Sequence, residues 1–240
     1  MSHNSILIVG SIALDTIETP VEKRSNVLGG STTYSLVASG RQSEVSIVGI
    51  VGNDFPSEGH SIYKSYASDL SDLKIAEGRT FRWGGRYYEN WDDRDTLFTD
   101  LGVFSDFRPV LTESNKNRSH ILLANIHPEL QQSVIQQNQN PNAIVVIDTM
   151  NLWIETTLPS LEKVLSASRL PRKQIAIEGC KRASLISPFT NISNPITASI
   201  IVRYHLCISF LCLSLLIFRY LLKLCPFVYV KILCLLCLTP

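Results

Sequence analysis

The feature that most constrains the fold is an alternation of short, apolar segments with segments of helical character. The apolar segments are ILIVG at 6–10, EVSIVGIVG at 44–52, HILLAN at 120–125 and AIVVID at 143–148. Segments this short and this apolar are typical of buried strands in a parallel sheet. Helices between them would cover both faces of that sheet. The sequence therefore predicts an α/β fold.

Helix boundaries follow from the residues that flank the apolar runs. STTYSLVAS follows Gly29-Gly30, so Ser31 or Thr32 is the predicted N-cap, and Gly40 is the predicted end. Pro residues suit the first turn of a helix. They predict further helices after Pro56 and from Pro128, and a last one is predicted over LWIETTLPSLEKVL at 152–165.

A stretch of different character, RTFRWGGRYYENWD, occupies residues 79–92. Its alternating pattern with Gly84-Gly85 at the centre predicts a β-hairpin that turns at the two glycines. Arg, aromatic and polar residues occur on both predicted faces, which is unusual for a central strand. The hairpin is either a flap over a pocket or an ordinary surface hairpin.

Composition divides the chain in two near residue 166. Residues 1–166 hold 13 Lys and Arg against 20 Asp and Glu, whereas 167–240 hold 9 basic residues and one acid, Glu178. The first of the six Cys is Cys180, and all twelve Gly lie at or before Gly179. We predict one domain over 1–166 and a separate, apolar, Cys-rich tail over 167–240, either helical or disordered. The Cys-free first part excludes a secreted disulfide scaffold.

The charge and the amino end restrict the partners and the compartment. A net charge of +1 gives no reason to expect nucleic-acid binding. The first apolar run, at 6–9, is too short for a secretory signal, so we expect a cytoplasmic protein.

The tail carries two alternatives. Residues 204–222 approach the length of about 20 apolar residues that spans a membrane, although Arg219 lies within them. A tail-anchored membrane protein is therefore one alternative. Cys234 and Cys237 form a C-x-x-C pair, but their flanks are Leu and Ile rather than a polar turn, so no metal site is expected.

Polar side chains are predicted to meet at one edge of the sheet. Asn125 and Asp148 each follow an apolar run, at the strand end where parallel sheets bind ligands. Asp15 and Gly29-Gly30 belong to the same edge. The alternative is that Asn125 and Asp148 only cap the turns in which they lie.

Ordered motifs over residues 6–165 resemble the PfkB family of carbohydrate kinases, which includes ribokinase and adenosine kinase. The matching pieces are IVGSIALDTI, VLGGSTTYSLVASGR, VSIVGIVGNDFPSEG, TFRWGGRYYEN, RDTLFTDLGVF, ILLANIHPELQQSVI and VVIDTMNLWIE. The resemblance implies a ribokinase-like, three-layer sheet, incomplete here, with a small β lid. It also implies transfer of the γ-phosphoryl of ATP to a hydroxymethyl group, with Mg as cofactor.

The resemblance assigns roles to individual residues. Asp15 would accept hydrogen bonds from hydroxyls of a small sugar or nucleoside. Gly29 and Gly30 would let the backbone approach this substrate, and Asn125 would contact the same molecule. The lid would carry Arg82, Trp83 and Arg86 within residues 78–92, and the family's lids sometimes pair two copies of the chain.

The phosphate side of the family pattern is missing. The D-T-x-G-A-G-D motif, which supplies the anion hole and the catalytic Asp, does not occur, and no Asp or Glu follows Glu178. Nor does N-x-x-E occur in its expected place. We therefore identify no catalytic residue and expect a truncated or frame-altered, inactive kinase that does not bind ATP or Mg. A non-catalytic sugar-binding or regulatory protein is the alternative.

Overall fold

A computed structural model describes residues 5–89, 93–167, 172–178 and 198–202, the last two ranges by their backbone alone. Eleven strands lie in these ranges: β1 Ser5–Val9, β2 Ala13–Glu18, β3 Lys23–Gly29, β4 Glu44–Gly52, β5 Asp69–Ala76, β6 Arg82–Tyr87, β7 Arg94–Asp100, β8 His120–Leu123, β9 Ile144–Met150, β10 Arg172–Glu178 and β11 Ala198–Val202. The helices are α1 Ser31–Ser39, α2 Ser57–Tyr66, α3 Pro128–Gln137, α4 Asn151–Thr156 and α5 Leu158–Ser166, and two short 3-10 helices cover Gly102–Asp106 and Asn115–Asn117.

Seven strands form the central sheet in the order β11-β10-β9-β8-β1-β4-β5, and every neighbouring pair is parallel. The predicted α/β class and parallel sheet are therefore confirmed. Strand β1 lies between β8 and β4, which brings the carboxyl ends of these three strands together.

Alternate residues of β1, β4, β8 and β9 contribute to two separate cores. In β1, Leu7 and Val9 pack with Val134 of α3 and Leu161 of α5 on one face of the sheet. Ile6 and Ile8 belong to the other core, with helices α1 and α2. Because successive strand residues point to opposite faces, an unbroken apolar run serves both cores. This arrangement gives the three predicted layers.

A second sheet of four strands, in the order β3-β2-β6-β7, forms the lid. Strand β2 runs antiparallel to β3 and parallel to β6, and β6 runs antiparallel to β7. The lid is larger than the predicted hairpin, because β2 and β3 come from the segment between the first apolar run and α1. Asp15 is thus part of a lid strand.

The predicted turn at Gly84-Gly85 is wrong. Both glycines lie inside β6, and the connection to β7 follows Tyr87. A Cβ at Gly84 would lie 2.4 Å from the Phe98 ring, and one at Gly85 would lie 2.1 Å from the Trp83 ring. The glycines therefore provide room for two aromatic rings, one on each face of the strand.

Two helix predictions also need correction. Gly30, with φ of 89°, is the N-cap of α1 and has no side chain to cap it, so neither Ser31 nor Thr32 has that role. The helix predicted over 152–165 is two helices, with Thr157 between α4 and α5. Pro159 lies in the first turn of α5, where its missing N–H costs nothing.

Strands β10 and β11 lie within the predicted tail, where we expected helix or disorder. Strand β10 pairs along its whole length with β9, so the sheet continues beyond residue 166. The domain boundary at that residue stays a prediction. Residues 204–222 and all six Cys lie outside the described residues.

Candidate functional site

The site begins with a buried carboxyl group on β2. Asp15 is only 9% exposed, and no hydrogen bond reaches its carboxyl group from the part of the chain that the structure describes. Burial raises the pKa of this carboxyl to about 7, because the charged form loses its hydration without gaining a partner. Asp15 is therefore an acceptor without a donor, which is what a site for hydroxyl groups requires.

Gly29, the first residue of the glycine pair, lies directly against this carboxyl group. A Cβ at Gly29 would lie 2.1 Å from Asp15 Oδ2, so only glycine fits there. Gly30 has a positive φ, and a Cβ on it would lie 2.5 Å from the carbonyl oxygen of Ser11. Backbone and carboxylate therefore form one continuous wall at the start of α1.

A buried pair of hydroxyls fixes this wall from beneath. Thr33 Oγ1 donates to the carbonyl of Gly29 over 2.6 Å, and its oxygen lies 2.9 Å from the Tyr63 hydroxyl. Tyr63 is fully buried, and burial raises the pKa of its phenol above the usual range. Since Thr33 uses its own hydrogen on Gly29, Tyr63 donates to Thr33.

Asn125 joins the same region through α1. Ser31 Oγ donates to the Asn125 carbonyl over 3.3 Å, and Ser11 and Ser31 exchange hydrogen bonds through their hydroxyls and amides at 3.2 Å. The structure thus brings Asp15, Gly29, Gly30 and Asn125 to one edge of the sheet.

The Asn125 side chain has a fixed orientation. Its Oδ1 accepts from Trp153 Nε1 over 2.7 Å, and its Nδ2 donates to Met150 Sδ over 3.0 Å. The Trp153 ring in turn meets His127 edge to face, with centroids 5.2 Å apart. One N–H of the Asn125 amide and the second lone pair of its oxygen stay available to a ligand.

Arg82 connects the lid to the body instead of pointing to an open site. Its Nη2 donates to Asp54 Oδ2 over 2.7 Å, and its Nη1 donates to Asn26 of β3. Asp54 Oδ1 also accepts from the amide and the hydroxyl of Thr80, each over 2.7 Å. Burial opposes the charged form, but these bonds and Arg82 outweigh it and lower the pKa of Asp54.

Arg86 and Trp83 have partners inside the lid. Arg86 binds Glu18 of β2 through Nε and Nη2, both over 2.9 Å. Trp83 Nε1 donates to Thr96 Oγ1 of β7 over 3.4 Å. The two arginines are thus held by carboxylates, whereas the Trp83 ring lies against Gly85.

Asp148 is placed differently from the prediction. It lies inside β9, not beyond its end, because the strand continues to Met150. Gln131 Nε2 donates to the Asp148 carbonyl over 2.8 Å, which ties β9 to α3. A role for the half-buried Asp148 side chain stays a prediction.

The absence of ATP and Mg²⁺ binding by this chain stays a prediction. No group of three or more metal-ligating side chains occurs among the residues that the structure describes. The glycine turn that would hold phosphates has no counterpart in the sequence.

No helix within the described ranges is long and apolar enough to cross a membrane. Pairing of two lids and attachment through residues 204–222 stay predictions.

Sequence reasoning missed the residues that support the site. Thr33, Tyr63 and Trp153 act through contacts 4 to 30 positions apart. Thr33 and Trp153 lie within matching motifs, but nothing in those motifs indicates these contacts. The one usable signal was GND in the loop after β4, since Asp54 of that motif fixes the lid.

The layered sheet and the lid above its carboxyl edge define the ribokinase-like class of folds. No protein-family model and no curated protein matches the chain by sequence. Solved structures match by fold: a ribokinase from Cryptococcus neoformans in complex with ADP has a TM-score of 0.61 at 16% identity, over 83% of this chain and 64% of that protein.

Two further structures give the same result. A protein assigned as a ribokinase II from E. coli, in complex with ATP and Mg²⁺, has a TM-score of 0.57 at 12% identity, over 78% of this chain and 69% of its own. The nucleoside kinase of Burkholderia thailandensis, in complex with inosine, has a TM-score of 0.57 at 12% identity, with coverages of 76% and 63%. The chain thus spans about two thirds of these proteins and shares their fold.

Proposed function

We propose that this chain binds the hydroxyl groups of a small sugar or nucleoside at the lid-covered edge of its sheet. It corresponds to the substrate side of a ribokinase-like kinase. The observation that carries the proposal is the buried Asp15 carboxyl group, which faces Gly29 at contact distance and has no donor among the described residues. The complex of a similar fold with inosine supports this class of ligand.

Affinity should depend on pH through Asp15. Ligand hydroxyls bind the ionised carboxylate, and the raised pKa of about 7 means that most of the protein carries neutral Asp15 at pH 5.5. We expect binding of the best sugar in a calorimetric panel to weaken about 30-fold from pH 8 to pH 5.5. Asp15→Asn should bind weakly at both pH values. A wild-type affinity that is equal at both would contradict the proposal.

We further propose that the chain does not transfer phosphate. Phosphoryl transfer needs a base near the acceptor hydroxyl and donors around the phosphates, and the sequence has no acid after Glu178 and no glycine after Gly179. An ADP-release assay with a panel of sugars and nucleosides should show no turnover above the no-substrate rate. Substrate-dependent turnover that Asp15→Ala abolishes would refute this.

A further inference from the structure

Trp83 lies on the same face of the lid as the Asp15 carboxyl group. In the parallel β2–β6 pair, Asp15 is directly beside Trp83, and Ile17 is beside Gly85. Side chains opposite each other on neighbouring strands point to the same side of a sheet. One face of the lid therefore presents an acceptor group next to an apolar surface.

The indole ring extends along this face from Trp83 to Gly85. Its benzo carbons cover Gly85, where a Cβ would lie 2.1 Å from Trp83 Cη2. Its Nε1 donates to Thr96 on the neighbouring strand. Glycine below and a hydrogen bond at the edge hold the ring in one orientation, so it is preorganised to accept another ring.

The opposite face of the same strand carries the charged groups and a second aromatic ring. Arg82 and Arg86 alternate with Trp83 and Gly85, so they point away from the Asp15 face, and carboxylates hold both of them. Phe98 covers Gly84 on that opposite face. Of the three lid residues that the sequence singles out, only Trp83 therefore shares the side of Asp15.

We propose that Trp83 is the specificity-determining residue of this site, as an apolar platform that selects a cyclic, hydroxylated ligand. The inference rests on the proposed function. Asp15 takes hydroxyl groups on one edge of the ligand, and the indole packs against the carbon face of its ring. The ring is a free sugar or the sugar of a nucleoside. An open-chain polyol offers the same hydroxyls but no flat face, so it would gain nothing from the indole.

Two adjacent glycines provide a matched test. Gly85→Ala displaces the Trp83 ring, and Gly84→Ala displaces the Phe98 ring on the other face by the same chemical change. Calorimetry on the full chain at pH 8 would use D-ribose, D-fructose and D-glucose, each beside its reduced polyol, and inosine. We expect the best ring ligand to bind about tenfold tighter than its polyol, as about 50 Å² of apolar contact would produce.

Gly85→Ala should abolish that preference and leave polyol affinity unchanged, whereas Gly84→Ala should keep it. Trp83→Thr and Phe98→Thr repeat the comparison without a new Cβ in the strand, so a lid that Gly85→Ala unfolds does not decide the result. Equal effects of Trp83→Thr and Phe98→Thr on the preference for the ring ligand would overturn the platform.

Asp15→Asn separates the two proposals. If it abolishes binding of sugar and polyol while Trp83→Thr changes neither, the binding site stands and the platform is wrong. If no member of the panel binds, or if Asp15→Asn binds as the wild type does, both proposals are wrong. If inosine binds more tightly than every free sugar in the panel, the ring that packs on the indole belongs to a nucleoside.

Discussion

At the scale of single residues, the unusual group is a carboxyl that the fold buries without a partner. Unpaired charges in protein interiors are destabilising, and a native protein retains one only where something else requires it. Asp15 has that property, whereas Asp54 is surrounded by donors from Thr80 and Arg82. Asp15 thus keeps its carboxyl oxygens available as acceptors, whereas Asp54 uses its own to fix Thr80 and Arg82.

Asp15→Asn should stabilise the protein at high pH. The folded pKa of about 7 exceeds the unfolded value of 3.8, so folding favours the protonated acid and stability falls as the pH rises from about 4 to 7. At pH 8 the neutral amide should raise the free energy of unfolding by up to about 4 kcal/mol, and at pH 4.5 by much less. Urea unfolding at both pH values measures this.

Asp106→Asn, on an exposed carboxyl of the 3-10 helix after β7, is the control and should change stability little at either pH. A gain that is equal for Asp15→Asn at the two pH values would show that Asp15 is not responsible for the pH dependence.

Tyr63→Phe tests the support beneath Gly29. The change removes the Tyr63 hydroxyl that donates to Thr33 Oγ1, so this buried oxygen loses its donor. Thr33 still donates its own hydrogen to the Gly29 carbonyl. We expect a loss of about 1 kcal/mol in the free energy of unfolding. Thr33→Val should cost more, because it also strands the Tyr63 hydroxyl and frees the Gly29 carbonyl. The reverse order in chemical denaturation would contradict this network.

At the scale of elements, the lid depends on one polar junction. Asp54, in the loop after β4, holds the Thr80 amide and hydroxyl and the Arg82 guanidinium. Three aromatic rings continue the junction, since Phe81 packs on Phe104 with centroids 5.7 Å apart and Phe104 stacks on Phe107 at 5.5 Å. The start of β6 is therefore fixed to the body, whereas Arg94 to Thr99 of β7 are all exposed.

Asp54→Ala should loosen the lid locally. Removing three charge-assisted hydrogen bonds leaves the Thr80 amide and the 18%-exposed Arg82 side chain without this acceptor. Amide hydrogen exchange in residues 82–87 should accelerate at least tenfold. Arg79→Gln breaks the Arg79–Asp100 pair, whose side chains are 66% and 43% exposed, and should change exchange little. Equal protection in both variants would argue against the junction.

At the scale of the whole molecule, the sequence predicted what depends on periodicity. Ile6–Val9 and Val45–Val51 are apolar on both faces, which indicates a parallel sheet between two helical layers. It did not predict the lid strands β2 and β3, because LDTIE and KRSNVLG are mostly polar. The two strands pair with each other as a hairpin, and only β2 also pairs with the distant β6. The turn predicted at Gly84-Gly85 was wrong because the sequence does not show the Trp83 and Phe98 rings that these glycines accommodate. Glycines that make room for rings look the same in sequence as glycines in a turn.

The site followed the same division. Asp15, Gly29, Gly30 and Asn125 could be proposed because they lie at strand ends or in motifs. Trp153 could not, since its hydrogen bond to Asn125 spans 28 positions and depends on where α4 begins.

The placement of Asp15 on β2 has a consequence for how a ligand would leave. Although β2 is a lid strand paired with β6 over five residues, Leu14 beside Asp15 packs in the same core as Ile6 and Val45 of the central sheet. The acceptor would therefore stay with the body of the protein, and a ligand would leave when β6 and its indole ring move away from it. Residence time would then be set by the stiffness of the Asp54 junction as much as by the contacts that the ligand itself makes.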